Sequence, residues 1–79
     1  VRIELYGVLS EAAGSTHLEL PAPAEGTVSA ALEAVAYAAP GLAPHLPRAA
    51  VAVGDQLVPR AAPVDESSEL VLLPPVSGG

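Results

Sequence analysis

Apolar and polar residues alternate at the start of the chain: Ile3 and Leu5 fall on one side, Arg2, Glu4 and Tyr6 on the other. That period of two predicts a half-buried strand over "RIELYGVL". "SEAAGS", with Gly14 inside it, reads as a turn. "THLEL" places Leu18 and Leu20 two apart and predicts a second strand, antiparallel to the first in a hairpin. Pro21 and Pro23 lack the amide hydrogen that a ladder needs and stop the pairing.

The period then changes. Val28, Ala31, Leu32, Val35, Ala36 and Ala39 recur at helical spacing, with Ser29 and Glu33 opposite. Thr27 stands where an N-cap hydroxyl can accept from a free first-turn amide, and Pro40-Gly41 ends the helix. "PGLAPHLPR" is a stiffened loop, "AAVAV" a short strand, and Gly54-Asp55 a turn into "QLVP". After the loop "RAAPVDESS" comes the last strand, "ELVLLP". Leu70 and Leu72 share one of its faces; Glu69, Val71 and Leu73 share the other. The order ββαββ(β), with the last strand pairing with the first, predicts an α+β roll: a mixed sheet packed on one main helix, the β-grasp or ubiquitin-like fold. The domain is expected over residues 1–73 and an extended C-terminal tail over 74–79.

Composition narrows the function. The chain has 79 residues, so a single thin core is expected, burying about 60–65% of the unfolded surface. Without cysteine it has no disulfide, no thiolate metal site and no thiol nucleophile. The formal charge is −6 and lysine is absent, which argues against nucleic-acid binding. No apolar run reaches the roughly 20 residues of a membrane span. "VRIELYG" has no signal-peptide layout, so a cytoplasmic location is expected.

A search for an active site finds none, and no metal site. His17 and His45 stand alone, Asp65, Glu66 and Glu69 belong to a loop and strand start, and no serine has a G-x-S-x-G context. The tail is different. Pro74 and Pro75 end the strand and drive the chain out extended. The six residues from Pro74 to Gly79 can reach about 20 Å at roughly 3.3 Å each. Gly78 and Gly79 carry no side chain, so they can enter a narrow channel and present a terminal carboxylate. A carboxylate is a poor electrophile, so it needs activation, for example as an acyl-adenylate; attack by sulfur then gives a thiocarboxylate. The sulfur must come from another molecule, and without lysine the chain cannot be joined to a lysine of a second copy.

The ending "LLPPVSGG" resembles the MoaD family, the small subunits of molybdopterin synthase among the ubiquitin-like sulfur carriers. "RIELYGVLSEAAG" resembles the family's opening strand and Glu-x-x-Gly turn, here Glu11 and Gly14. "TVSAALEAV" resembles its helix start, and "AVAVGDQLV" and "PVDESSELVLLPPVSGG" its later segments. The sequence departs at Gly54 for a usual Asn, at Ser10 for a frequent Arg and at Leu72-Leu73 for frequent aromatics. It also departs at Glu66-Ser67-Ser68-Glu69, where a Gly is typical; Ser67 is unfavourable if that turn needs positive φ.

The resemblance implies that Gly79 is the reacting residue, adenylated by an ATP-dependent activating enzyme and converted to a thiocarboxylate with sulfur from a donor system. ATP is used by that enzyme, and this chain binds no cofactor. It implies that Gly78, Ser77, Val76, Pro75 and Pro74 line the path into the large synthase subunit, where sulfur passes to a pterin precursor in molybdenum cofactor biosynthesis. Tyr6, Leu57 and Leu73 are the expected docking patch, on the sheet face opposite the helix. The alternatives are a carrier for thiamine or tRNA thiolation, a ubiquitin-like protein modifier, or an interaction domain without tail chemistry.

Overall fold

The computed structural model describes residues 1–74, built from five strands and two helices. Strand β1 (Arg2–Leu5) leads into helix α1 (Val8–Ala13), and β2 (His17–Glu19) returns beside β1. Helix α2 (Val28–Ala38) follows, then two 3-10 turns, Pro40–Leu42 and Leu46–Arg48. Strands β3 (Ala50–Val53), β4 (Gln56–Leu57) and β5 (Glu69–Leu73) complete one sheet of order β2-β1-β5-β3-β4.

The hairpin of β1 with β2 and the pairing of the last strand with the first are both present, the latter parallel, with Leu5 opposite Leu72. β5 thus lies centrally, antiparallel to β3 on its other side. Its alternation places Leu70 and Leu72 in the core with Ile3, Leu5 and Val51. Helix α2 covers that face with Val28, Ala31, Leu32 and Val35. Each fully buried leucine or valine contributes about 1.5–3 kcal/mol relative to exposure.

The start of α2 is closed by more than its cap. The Thr27 hydroxyl accepts from Ala30 N–H at 3.2 Å. Val28 and Ser29 N–H donate to the carbonyls of Ala62 and Arg60 at 2.9 and 2.8 Å, satisfying amides that a helix start leaves open. The Arg60 guanidinium in turn donates to the carbonyls of Leu46 and Ala49, at 2.8 and 3.0 Å. One residue therefore ties the long loop before β5 to both the helix and the turn before β3.

Three sequence expectations are corrected. The first strand does not run through "RIELYGVL": it stops at Leu5, and Val8 and Leu9 belong to α1. "SEAAGS" is not a turn but the body of α1 and its cap, with Gly14 at φ 73° and its N–H bonded to the Ser10 and Glu11 carbonyls. The order is accordingly βαβαβββ, with a second, short helix beside the main one. The turn at Glu66–Glu69 needs no positive φ; every such residue among those described is a glycine. Gly41, read as a helix stop, has a further reason: a Cβ there would lie 2.5 Å from the Ala12 carbonyl oxygen, where α1 meets the first 3-10 turn.

Candidate functional site

The face of the sheet away from α2 is built by the residues that alternate with the buried ones in each strand. One outer row runs His17, Glu4, Val71, Ala52, Leu57 across β2, β1, β5, β3 and β4. The next row has Leu73 opposite Ala50 on β3. One residue beyond the Leu5–Leu72 pairing, Tyr6 stands level with Leu73 on the other side. This face changes character along its strands. The row where β1 and β5 begin carries Glu19, Arg2 and Glu69, with Arg2 3.6 Å from Glu19, and Glu4 follows in the next row. Towards the end of β5 and towards β4 it is apolar.

The exposures define the patch. Tyr6 is 51% and Leu57 68% exposed, whereas Val71 and Leu73 are half-buried. Ala52, 6% exposed, lies between Val71 and Leu57 and makes the apolar strip continuous. The three expected docking residues therefore share one face, with Tyr6 and Leu73 adjacent and Leu57 two strands further along. Val71 and Ala52 join them and were not singled out from the sequence; their alternation with Leu70, Leu72 and Val51 was the available signal.

Pro74 follows Leu73 at the same end of the sheet and is half-buried. Its ring faces Gly7: a Cβ on Gly7 would lie 3.2 Å from Pro74 Cγ. The remaining expected tail residues, Pro75, Val76, Ser77, Gly78 and Gly79, lie outside the described residues. Beside Tyr6 and Gly7 is an open hollow of about 260 Å³, lined also by Arg2, Glu4, Ser10 and His17.

The candidate chemical groups elsewhere remain apart. Among the described residues no three of His, Asp and Glu come together in a way that could hold a metal ion. Asp65 is engaged in its own turn: its carboxylate accepts from Ser67 N–H at 2.9 Å and from the Ser67 hydroxyl at 2.8 Å. Those bonds, the Ser67 side chain first, hold its pKa below the usual carboxylate value. No helix among the described residues is long and apolar enough to cross a membrane.

Comparison with known proteins agrees with this architecture. The ThiS family model matches residues 3–79. The crystal structure of SAMP1 from Haloferax volcanii superposes with a TM-score of 0.79 at 27% identity, covering 99% of this chain and 97% of that one. A second crystal structure, of H. volcanii small archaeal modifier protein 1, gives 0.75 at 24% identity, covering 95% of each chain. A complex of subunits 1 and 2 of molybdopterin-converting factor from Helicobacter pylori 26695 gives 0.68 at 24%, covering 99% of this chain and 96% of that chain. A search of curated proteins returns no match. With a β-grasp sheet carrying an apolar outer face, and a family match running from β1 to the final glycine, the chain belongs to the ThiS family of ubiquitin-fold sulfur carriers.

Proposed function

We propose that this chain is the sulfur-carrying small subunit of a molybdopterin synthase, with Gly79 as its reacting residue. The observation that carries the reading is a convergence at one end of the sheet. β5 ends at Leu73, level with exposed Tyr6, and the sequence passes from there straight into Pro-Pro-Val-Ser-Gly-Gly. A docking face and the root of a thin arm thus adjoin. The molybdopterin-converting factor complex supports a large subunit as the partner.

The chemistry assigned to the arm is carboxylate activation followed by substitution. The Gly79 carboxylate attacks the α-phosphate of ATP on an adenylating enzyme, forming an acyl-adenylate and releasing pyrophosphate. A hydrosulfide equivalent from a sulfur donor attacks the acyl carbon and AMP leaves, giving a thiocarboxylate. In the large subunit the sulfur bonds to a pterin carbon, and hydrolysis of the acyl link returns the carboxylate. This chain contributes reach, direction and docking; the catalytic groups belong to its partners. The outer face seats its body through Tyr6, Leu57 and Leu73. The acidic residues on the same face, Glu4 and Glu69 above all, steer a basic partner towards that face.

A second reading is favoured by the SAMP1 likeness: a protein modifier whose terminal glycine forms an amide with lysines of other proteins. The chain has no lysine, so its side chains cannot serve as acceptors for a second copy. Incubation with the adenylating enzyme, ATP and a sulfur donor separates the two. For the carrier, intact mass rises by the difference between one sulfur and one oxygen, and the product supports dithiolene formation with the large subunit. Stable lysine conjugates without synthase turnover would replace this reading with the modifier. Thiocarboxylation that feeds only a thiazole or a tRNA base would retain the carrier and reassign its pathway.

A further inference from the structure

Gly7 is where strand becomes helix. Its φ of 58° and ψ of −134° lie in a region open to glycine and closed to L side chains. Its carbonyl accepts from Ser10 N–H at 3.1 Å, from Glu11 N–H at 3.4 Å and from the Ser10 hydroxyl at 2.8 Å, which fixes the peptide that follows it. The missing side chain leaves space on one flank, and the Pro74 ring borders that space, with Cγ at 3.2 Å and Cδ at 3.8 Å from the position a Cβ would take. Gly7 and Pro74 are 67 positions apart; the parallel register of β1 with β5 brings them level.

We infer that Gly7 is a positioning residue: it forms a notch that seats Pro74 and so sets the direction in which the arm leaves the sheet. The inference rests on the carrier reading and assigns it a residue outside the arm. Pro74 has no amide hydrogen to continue the ladder with β1 or β3. Its direction therefore depends on packing, and the bare flank of Gly7 lies against its ring. The arm's end is about 20 Å away at full extension, so a small rotation at its base becomes a displacement of several ångströms at Gly79. Activation by a partner needs the carboxylate in line with its target, where a misplacement of about 1 Å costs on the order of 100-fold.

Gly7→Ala both strains the backbone and fills the notch. The Pro74→Ala background separates filling of the notch from backbone strain, which removing the ring would not relieve. Replacement of Gly7 by D-alanine in a synthetic chain accepts φ 58°, ψ −134° as the mirror image of polyproline II and leaves the flank towards Pro74 open. Pro74→Ala removes the ring atoms Cγ and Cδ that meet the notch. Adenylation is followed as pyrophosphate release with this protein as the varied substrate, beside the melting temperature. Gly7→Ala is expected to lower kcat by on the order of 10- to 100-fold with a much smaller rise in KM, because the docking face is intact. The D-alanine protein is expected to behave like the unsubstituted one. In the Pro74→Ala background the loss caused by Gly7→Ala is expected to shrink, since both changes act on one contact.

A D-alanine protein as impaired as a folded Gly7→Ala, or losses that multiply in the double variant, would overturn the notch. If Gly7→Ala does not fold, nuclear Overhauser contacts between the Gly7 α-protons and the Pro74 ring of the unsubstituted protein decide: their presence supports the notch and their absence overturns it. If the unsubstituted protein is not adenylated at all, the carrier reading fails. The notch is then tested by itself in the free protein, by nuclear Overhauser contacts between the Gly7 α-protons and the Pro74 ring. Their absence would overturn it.

Discussion

The two faces of the sheet are made by the same strands and are both rich in apolar residues, yet they differ in what covers them. On the inner face Ile3, Leu5, Leu70 and Leu72 are at most 2% exposed beneath α2. On the outer face Tyr6, Val71, Leu73 and Leu57 lie one residue out of phase with that set, and no element among the described residues covers them. In a sheet whose other side is fully covered, polar residues are the ordinary choice for the open face, and Arg2, Glu4, Glu19 and Glu69 follow it. The apolar strip departs from it, running from Leu57 through Ala52 and Val71 to Leu73 and Tyr6 where β5 leaves the sheet. On the proposed function this contiguous apolar surface is where the partner docks.

Neighbouring positions on β5 offer the sharpest contrast. Leu72→Ala removes a side chain with no exposure and leaves a cavity beneath α2. It is expected to cost about 2–5 kcal/mol of stability, read from chemical denaturation. In a domain this small each kcal/mol lowers the melting temperature by about 4–8 °C. Leu73→Ala, one residue on, is expected to leave stability nearly unchanged and to weaken binding to the large subunit by more than about 1 kcal/mol in titration calorimetry. Tyr6→Ala should do the same. If Leu73→Ala or Tyr6→Ala unfolded the domain, or both bound normally, the outer face would be a part of the core or an idle surface.

Charge gives a smaller contrast on the same face. Glu4 and Glu69 border the apolar strip, so added salt should slow association with a basic partner more than it speeds dissociation. Stopped-flow association rates across a salt series check this, and a rate indifferent to salt would remove steering from the account.

The smallest expected effect belongs to neither face. Asp65 lies in the exposed turn that sets the start of β5, with its pKa lowered mainly by the Ser67 side-chain bond. A carboxyl lowered on folding adds stability above its unfolded pKa and loses it as the pH falls through the folded one. The usual value here is 3.8, so the loss falls below that pH. The advantage of the unsubstituted protein over Asp65→Asn in melting temperature should be slight near neutrality and vanish as the solution is acidified past the folded pKa. Docking should not change. An advantage that grew on acidification would contradict the turn's hydrogen bonding.

Strand alternation, the Thr27 cap and the Gly54-Asp55 turn could be read from the sequence because each is a local pattern, and so could the assignment of Tyr6 and Leu73 to one face; Leu57 is an extension of that patch past the Gly54 turn, a position to which the resemblance also points. Helix α1 could not. Tyr6, Gly7, Val8 and Leu9 continue the strand's alternation closely enough to hide the break, and six residues are too few for helical periodicity to declare itself. Glu11-Ala12-Ala13 before a left-handed Gly14 was the signal that the turn reading passed over. The roles of Gly7, Gly41 and Arg60 depend on approaches between distant segments, to Pro74, to Ala12 and to the Leu46 and Ala49 carbonyls, which no local pattern encodes.

The proposed function stands on Gly79 receiving the sulfur. Removing Gly79 draws the carboxylate back by about one residue, roughly 3.5 Å, while the core, which ends at Leu72, is untouched. The decisive measurement is intact mass of the full chain and of the chain lacking Gly79 after incubation with the adenylating enzyme, ATP and sulfur donor. The full chain is expected to gain sulfur in place of oxygen. The shortened chain, with an unchanged melting temperature, should stay at its starting mass and support no synthase turnover. A shortened chain that acquired the thiocarboxylate and turned over with the large subunit would contradict the proposed function.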